Sequence, residues 1–160
     1  ERPAFGNLSG DPRHPGLRRS MAYWLRYYLV RHLGEWVLDV ADVECPYRAA
    51  RLVAIRGEEN ARTPLTPLLA TADEDGTVFL MLVNGSWDRS VPASFRFENL
   101  RVRRAEAVLL SSSDRDAHPY PENKDEFVSA LPVETDADGI RFALPPHAIV
   151  FVKVKPEPHP

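Results

Sequence analysis

The chain has 160 residues, 44% hydrophobic and 27% charged, with a net charge of −3 and one cysteine. That length fits one domain, or one domain with an appendage, but not a complete (β/α)8 barrel of about 200 residues or more. The lone Cys45 excludes an intrachain cystine framework, the charge balance gives no overall basic footprint for nucleic acid, and no apolar run reaches the ~18 residues of a membrane-spanning helix.

The chain begins at Glu1 rather than Met, so the expectation is a piece of a longer polypeptide. Its start therefore leaves the compartment unread, and the single cysteine only slightly favours the cytoplasm over a secreted setting. Charge is uneven: residues 1–56 carry nine basic and six acidic side chains, and residues 57–160 carry 11 and 17.

Residues 1–16 hold three Pro and three Gly without a period and read as a loop. In the run from Leu17 to Gly34, Met21, Trp24, Leu25, Tyr28, Leu29 and His32 or Leu33 recur with helical spacing. They form one aromatic-rich apolar stripe on an amphipathic helix, and Gly34 is expected to end it in a left-handed conformation. Arg18, Arg19, Arg26 and Arg31 lie mostly off the stripe and read as a solvated face.

After Gly34 the period changes. Trp36–Val43 reads as extended, residues 47–56 are ambiguous between strand and helix, and residues 57–67 read as a loop. Leu68–Ala72 and Thr77–Val83 flank Asp73-Glu74-Asp75-Gly76, which predicts a hairpin. The second run is apolar almost throughout, as in a strand buried on both faces. Val91–Phe97 alternates and carries Pro92, so it is expected at a sheet edge. Val102–Leu110 is another strand, and residues 111–126 a long polar loop. Phe127–Val133 and Ile140–Leu144 flank a second acidic turn, and Ala148–Val154 closes the pattern. Seven or eight strands after one helix predict a mainly β fold, an antiparallel β-sandwich over residues 36–156 preceded by a loop and helix over 1–35.

Few residues carry chemistry. Asp73, Glu74 and Asp75 lie in one turn, and Glu122, Asp125 and Glu126 in the long loop. A catalytic acid needs an enclosed setting that raises its pKa, and these positions read as solvent-facing. Asp114, Asp116 and His118 alternate but lack the Gly and terminal Glu of a calcium loop and a second cluster for zinc. His14, His32, His118, His147 and His159 show no paired metal spacing, and His147 is expected where a strand begins. No serine elbow and no Gly-rich phosphate cradle is present. Cys45 precedes Pro46 with no motif and reads as a bland thiol. No cofactor or metal is expected. Trp87 and Tyr120 are the loop aromatics, candidates for stacking on sugar rings or for plugging the sandwich ends. Trp24, Tyr27, Tyr28 and Trp36 are expected at the helix–sandwich junction.

Several phrases in order resemble the C-terminal region of glycoside hydrolase family 51, the α-L-arabinofuranosidases. His32-Leu33-Gly34-Glu35-Trp36-Val37-Leu38 is similar to the end of that family's last barrel helix. Ala70-Thr71, the Asp73–Gly76 turn and Val83-Asn84 resemble its central hairpin. Leu144-Pro145-Pro146-His147-Ala148 resembles its closing phrase, with Ala148 where the family has Ser. Glu122–Val128 resembles a family loop but lacks its Asn-Thr and Asn-Pro steps.

The resemblance implies a jelly-roll-type sandwich that follows a (β/α)8 barrel, with residues 1–35 holding the last barrel helix. The family's two catalytic Glu belong to barrel strands, so none is carried over to this chain. The expected role is a non-catalytic accessory sandwich of an arabinofuranosidase-like hydrolase, partnered by the barrel or by further copies of itself. Met21, Trp24, Leu25, Tyr28 and Trp36 are the expected packing residues. The alternatives are an independent carbohydrate-binding module using Trp87 and Tyr120, and a small hydrolase using Glu122, Asp125 and Glu126.

Overall fold

A computed structural model describes residues 8–9, 18–19, 21–50, 61–112 and 127–158. In chain order the elements are β1 (Leu8–Ser9), β2 (Arg18–Arg19), α1 (Met21–Arg31), β3 (Trp36–Val37), β4 (Tyr47–Ala50), β5 (Ala61–Pro64) and β6 (Leu68–Ala72). They continue with β7 (Val78–Asn84), β8 (Val91–Arg96), β9 (Val102–Ser111), β10 (Val128–Leu131), β11 (Glu134–Thr135), β12 (Gly139–Leu144) and β13 (Ala148–Pro156).

The expected helix-plus-sandwich is present. A six-stranded antiparallel sheet runs β10-β9-β13-β7-β6-β3, and a three-stranded sheet runs β11-β12-β8. β13 lies at the centre, antiparallel to β7 (Val152 opposite Leu80) and to β9 (Val152 opposite Ala107). Alternation along these strands sorts their side chains. Val78, Leu80, Leu82, Val150, Val152 and Val154 face Ile140, Phe142 and Leu144 of the smaller sheet and form the main core. Met81, Ile149 and Phe151 point the other way, towards α1. The larger sheet is therefore covered on both faces, which is why β7 and β13 read as nearly continuous apolar runs.

The helix spends its stripe inside the chain. Trp24 is 6% exposed and packs with Leu110 and Phe151, while Leu25, Tyr28 and Leu29 are partly buried around them. Tyr28 stacks on Phe151 with ring centroids 6.1 Å apart. Burying an aromatic of this size contributes several times the energy of one methylene, which is about 0.8 kcal/mol.

Several boundaries differ from the sequence reading. Leu8–Ser9, read as loop, pairs with Arg18–Arg19, read as the solvated face of the helix, and the helix begins only at Met21. The extended run after Gly34 pairs over just Trp36–Val37, with one further bond from Leu38 N–H to the Ala70 carbonyl (3.0 Å). Ala61–Pro64, read as loop, pairs with Tyr47–Ala50. Val128–Leu131 joins β9 in the larger sheet, whereas Gly139–Leu144 pairs with β8 in the smaller one, so these two runs are not hairpin partners. Periodicity specifies a strand but not its neighbour, because the same alternation suits either sheet.

Gly34 also has a different role from the one expected. Its φ is not positive, Gly76 being the positive-φ glycine among the described residues. A Cβ on Gly34 would lie 2.5 Å from the Ala72 carbonyl carbon, so glycine is required for close backbone approach. Its N–H donates to Thr71 Oγ1 at 2.8 Å, which ties the helix exit to the sheet.

Two sequence expectations are met closely. The Asp73–Gly76 turn closes with Gly76 N–H to the Asp73 carbonyl (3.0 Å) and Gly76 at φ +76°. Pro92 sits on β8, the outer strand of the smaller sheet.

Candidate functional site

The most elaborated surface feature lies at one end of the sandwich, where β7 stops at Asn84 and β13 starts at Ala148, its register partner. Asn84 is 1% exposed. Its Nδ2 lies within hydrogen-bond distance of the carbonyls of Arg89 (2.8 Å), Leu144 (3.1 Å) and Pro145 (2.8 Å), and its Oδ1 accepts from Ser86 N–H (2.9 Å). One buried amide thus joins the loop after β7 to the loop before β13.

Ser86 extends the network. Its Oγ donates to Asp88 Oδ1 (3.1 Å) and accepts from Arg89 N–H (3.1 Å), and its carbonyl accepts from His147 N–H (2.7 Å). Ser90 Oγ donates to the Leu144 carbonyl (3.1 Å). On this frame the Trp87 indole stacks on the His147 imidazole, with centroids 4.1 Å apart and planes inclined by 23°. Trp87 is 51% exposed, and Asp88, Arg89 and Ser90 beside it are exposed. His147 holds a left-handed backbone, φ +49°, unusual for a residue with a side chain.

The partnership of Trp87 with His147 is not legible in the sequence, because 60 residues separate them. The available signals were Val83-Asn84-Gly85 and Leu144-Pro145-Pro146-His147, two turn phrases whose flanking strands are register neighbours.

The remaining candidates are distributed elsewhere. Tyr120, Asp114, Asp116, His118, Glu122, Asp125, Glu126, His14 and His159 lie outside the described residues. Asp75 Oδ1 accepts from Thr77 N–H (2.9 Å), and hydrogen bonds from Thr77 hold its carboxyl below the ordinary value. That is the opposite of what a catalytic acid needs. His32 packs against Phe151 and Phe79 with centroids 5.6 and 6.2 Å away, and its Nδ1 lies 3.0 Å from the Tyr28 carbonyl. Burial pushes its pKa down, and Lys153 adds to the effect. Among the described residues no group of His, Cys, Asp and Glu is placed to hold a metal, and no helix is long and apolar enough to cross a membrane.

Of the expected packing residues, Trp24 is buried under the chain's own sheet, and Met21, Leu25 and Tyr28 are partly buried. Trp36 differs: it lies 60% exposed on the edge strand β3, beside Val37 at 77%. Val30, Leu33, Val40, Val43 and Tyr47 are exposed as well, so among the described residues most of the exposed large apolar side chains fall between residues 30 and 47.

No protein-family model matches the sequence, and no curated protein matches it. Solved structures match in fold. The thermostable GH51 α-L-arabinofuranosidase from Thermotoga petrophila RKU-1 superposes with a TM-score of 0.72 over 95% of this chain, at 21% identity. The chain has the fold of the C-terminal region of family 51 arabinofuranosidases. The α-L-arabinofuranosidase from Thermotoga maritima, in its arabinose complex, gives 0.72 over 94% at 20% identity. A family 51 enzyme from Bifidobacterium longum gives 0.71 over 94% at 17%. The chain covers 32%, 32% and 28% of these three proteins, about a third of their length or less.

Proposed function

We propose that this chain is a non-catalytic accessory β-sandwich of a glycoside hydrolase similar to an α-L-arabinofuranosidase. The observation that carries the reading is the superposition over 95% of this chain on a third of an arabinofuranosidase. The exposed apolar strip supports it. A two-residue edge strand bearing Trp36 and Val37, followed by Val40 and Val43, is a surface that water penalises and a neighbouring domain would cover. The partner in this reading is a (β/α)8 barrel in the same polypeptide, which supplies the two catalytic carboxylates. The sandwich buttresses it.

The test has two arms. The gene carrying these residues should also encode a barrel with two suitably placed Glu. Amide exchange over residues 33–43 should be slower in that full-length protein than in the 160-residue chain. A gene encoding an unrelated neighbour, or unchanged exchange over 33–43 beside a barrel, contradicts the proposal.

A further inference from the structure

We infer that Trp87 stacked on His147 forms a saccharide-binding platform at the end of the sandwich, taking a neutral sugar ring of an oligosaccharide. The inference goes beyond the accessory role and is independent of it.

Three observations converge on this loop. First, Trp87 remains 51% exposed although an aromatic ring covers one of its faces at 4.1 Å. An aromatic serving only to plug a sandwich end gains most by full burial, and this one is held half open. Second, its position is fixed. The neighbours Ser86 and Arg89 are tied to Asn84, and Asp88 to Ser86. The supporting His147 is held in a left-handed conformation by its N–H bond to the Ser86 carbonyl. A non-glycine residue kept there carries a conformational cost that the network offsets, a pattern concentrated at ligand clamps. A ring immobilised in advance loses less entropy when a ligand stacks on it. Third, the loop continues with polar residues. Asp88, Arg89 and Ser90, which follow Trp87 in the chain, are exposed.

This combination selects the ligand class. A protein partner would meet several apolar side chains, such as the exposed ones between residues 30 and 47, rather than one indole followed in the chain by Asp88, Arg89 and Ser90. A sugar ring has a face of C–H bonds for the indole and a rim of hydroxyls for a carboxylate and a guanidinium. The Asp88 carboxylate disfavours phosphates, which argues against nucleotides.

Nuclear magnetic resonance separates the three tryptophans, because each contributes one indole N–H signal. The 160-residue chain is titrated with α-1,5-arabinotriose, xylotriose and cellotriose. The expected result is a saturable shift of the Trp87 indole signal with at least one of them, at a Kd of about 1 mM. Trp87→Ala should weaken that binding more than tenfold, Trp87→Phe should retain part of it, and Trp36→Ala should leave it unchanged. No saturable shift at ten times that concentration overturns the inference. So does binding that survives Trp87→Ala. Any of these failures leaves the slowed exchange over residues 33–43 unaffected, so the two proposals fail separately.

Discussion

The side-chain amide of Asn84 reaches the carbonyl of Leu144 at 3.1 Å, although 60 residues separate them. Leu144 belongs to the smaller sheet and Asn84 to the larger one. The bond therefore fastens the two layers at the end where Trp87 is displayed. Both residues are almost completely buried, so nothing but protein replaces it.

Asn84→Ala removes the amide that faces the carbonyls of Arg89, Leu144 and Pro145. A buried acceptor left without a donor costs about 1–3 kcal/mol. Some relaxation of these exposed-ended loops is expected, so the variant should lose about 2–3 kcal/mol in urea unfolding, with the slope unchanged. Asn84→Asp should be worse, since it turns an acceptor towards acceptors. A loss below about 0.5 kcal/mol, the range of ordinary surface substitutions, would show that the amide does not hold this end together.

Gly34→Ala tests the close approach of the helix exit to β6. The added Cβ would meet the carbonyl carbon, oxygen and nitrogen of Ala72, all backbone atoms. Overpacking of this kind costs about 1–3 kcal/mol, whereas Gly→Ala at an unconstrained site is neutral or stabilising. The melting temperature should fall. An unchanged or higher value would mean that α1 is free to move away from the sheet.

His32 gives the fold a pH dependence with a defined sign. Burial lowers its pKa in the folded state from the ordinary 6.5, Lys153 acts in the same direction, and the Tyr28 carbonyl and Glu106 act against it. The unfolded chain thus binds more protons at this position than the folded one. Stability is full above pH 6.5 and is lost as pH falls below it, until the folded-state pKa is also passed. The melting temperature should drop between pH 7 and pH 5 by more in the wild type than in His32→Leu. Equal drops in the two proteins would remove His32 from the account.

Much of this architecture was legible in the sequence. The apolar run of β7 and the Asp73–Gly76 turn announced their hairpin, and Pro92 announced an outer strand. These signals are local: a turn residue or a period specifies its own segment. Pairing between distant segments was not legible. Residues 128–131 and 139–144 lie in two runs that both read as strands, yet they enter different sheets. The stripe of Trp24 and Tyr28 was readable as apolar and as packing at the helix–sandwich junction, where it lies, whereas Trp36, expected there too, is exposed. A stripe that fits another domain equally fits the chain's own Phe151. The Trp87–His147 stack was half legible: Trp87 was a loop aromatic, while its stacking on His147 depends on β7 and β13 being neighbours. Gly34 illustrates the same limit, since a glycine after a helix serves a left-handed cap or a close contact with equal ease.

The accessory reading is tested most directly by assaying the purified 160-residue chain on p-nitrophenyl α-L-arabinofuranoside. The account predicts no turnover above the uncatalysed rate. Turnover by the chain alone that is lost on Glu122→Gln or Glu126→Gln would contradict it.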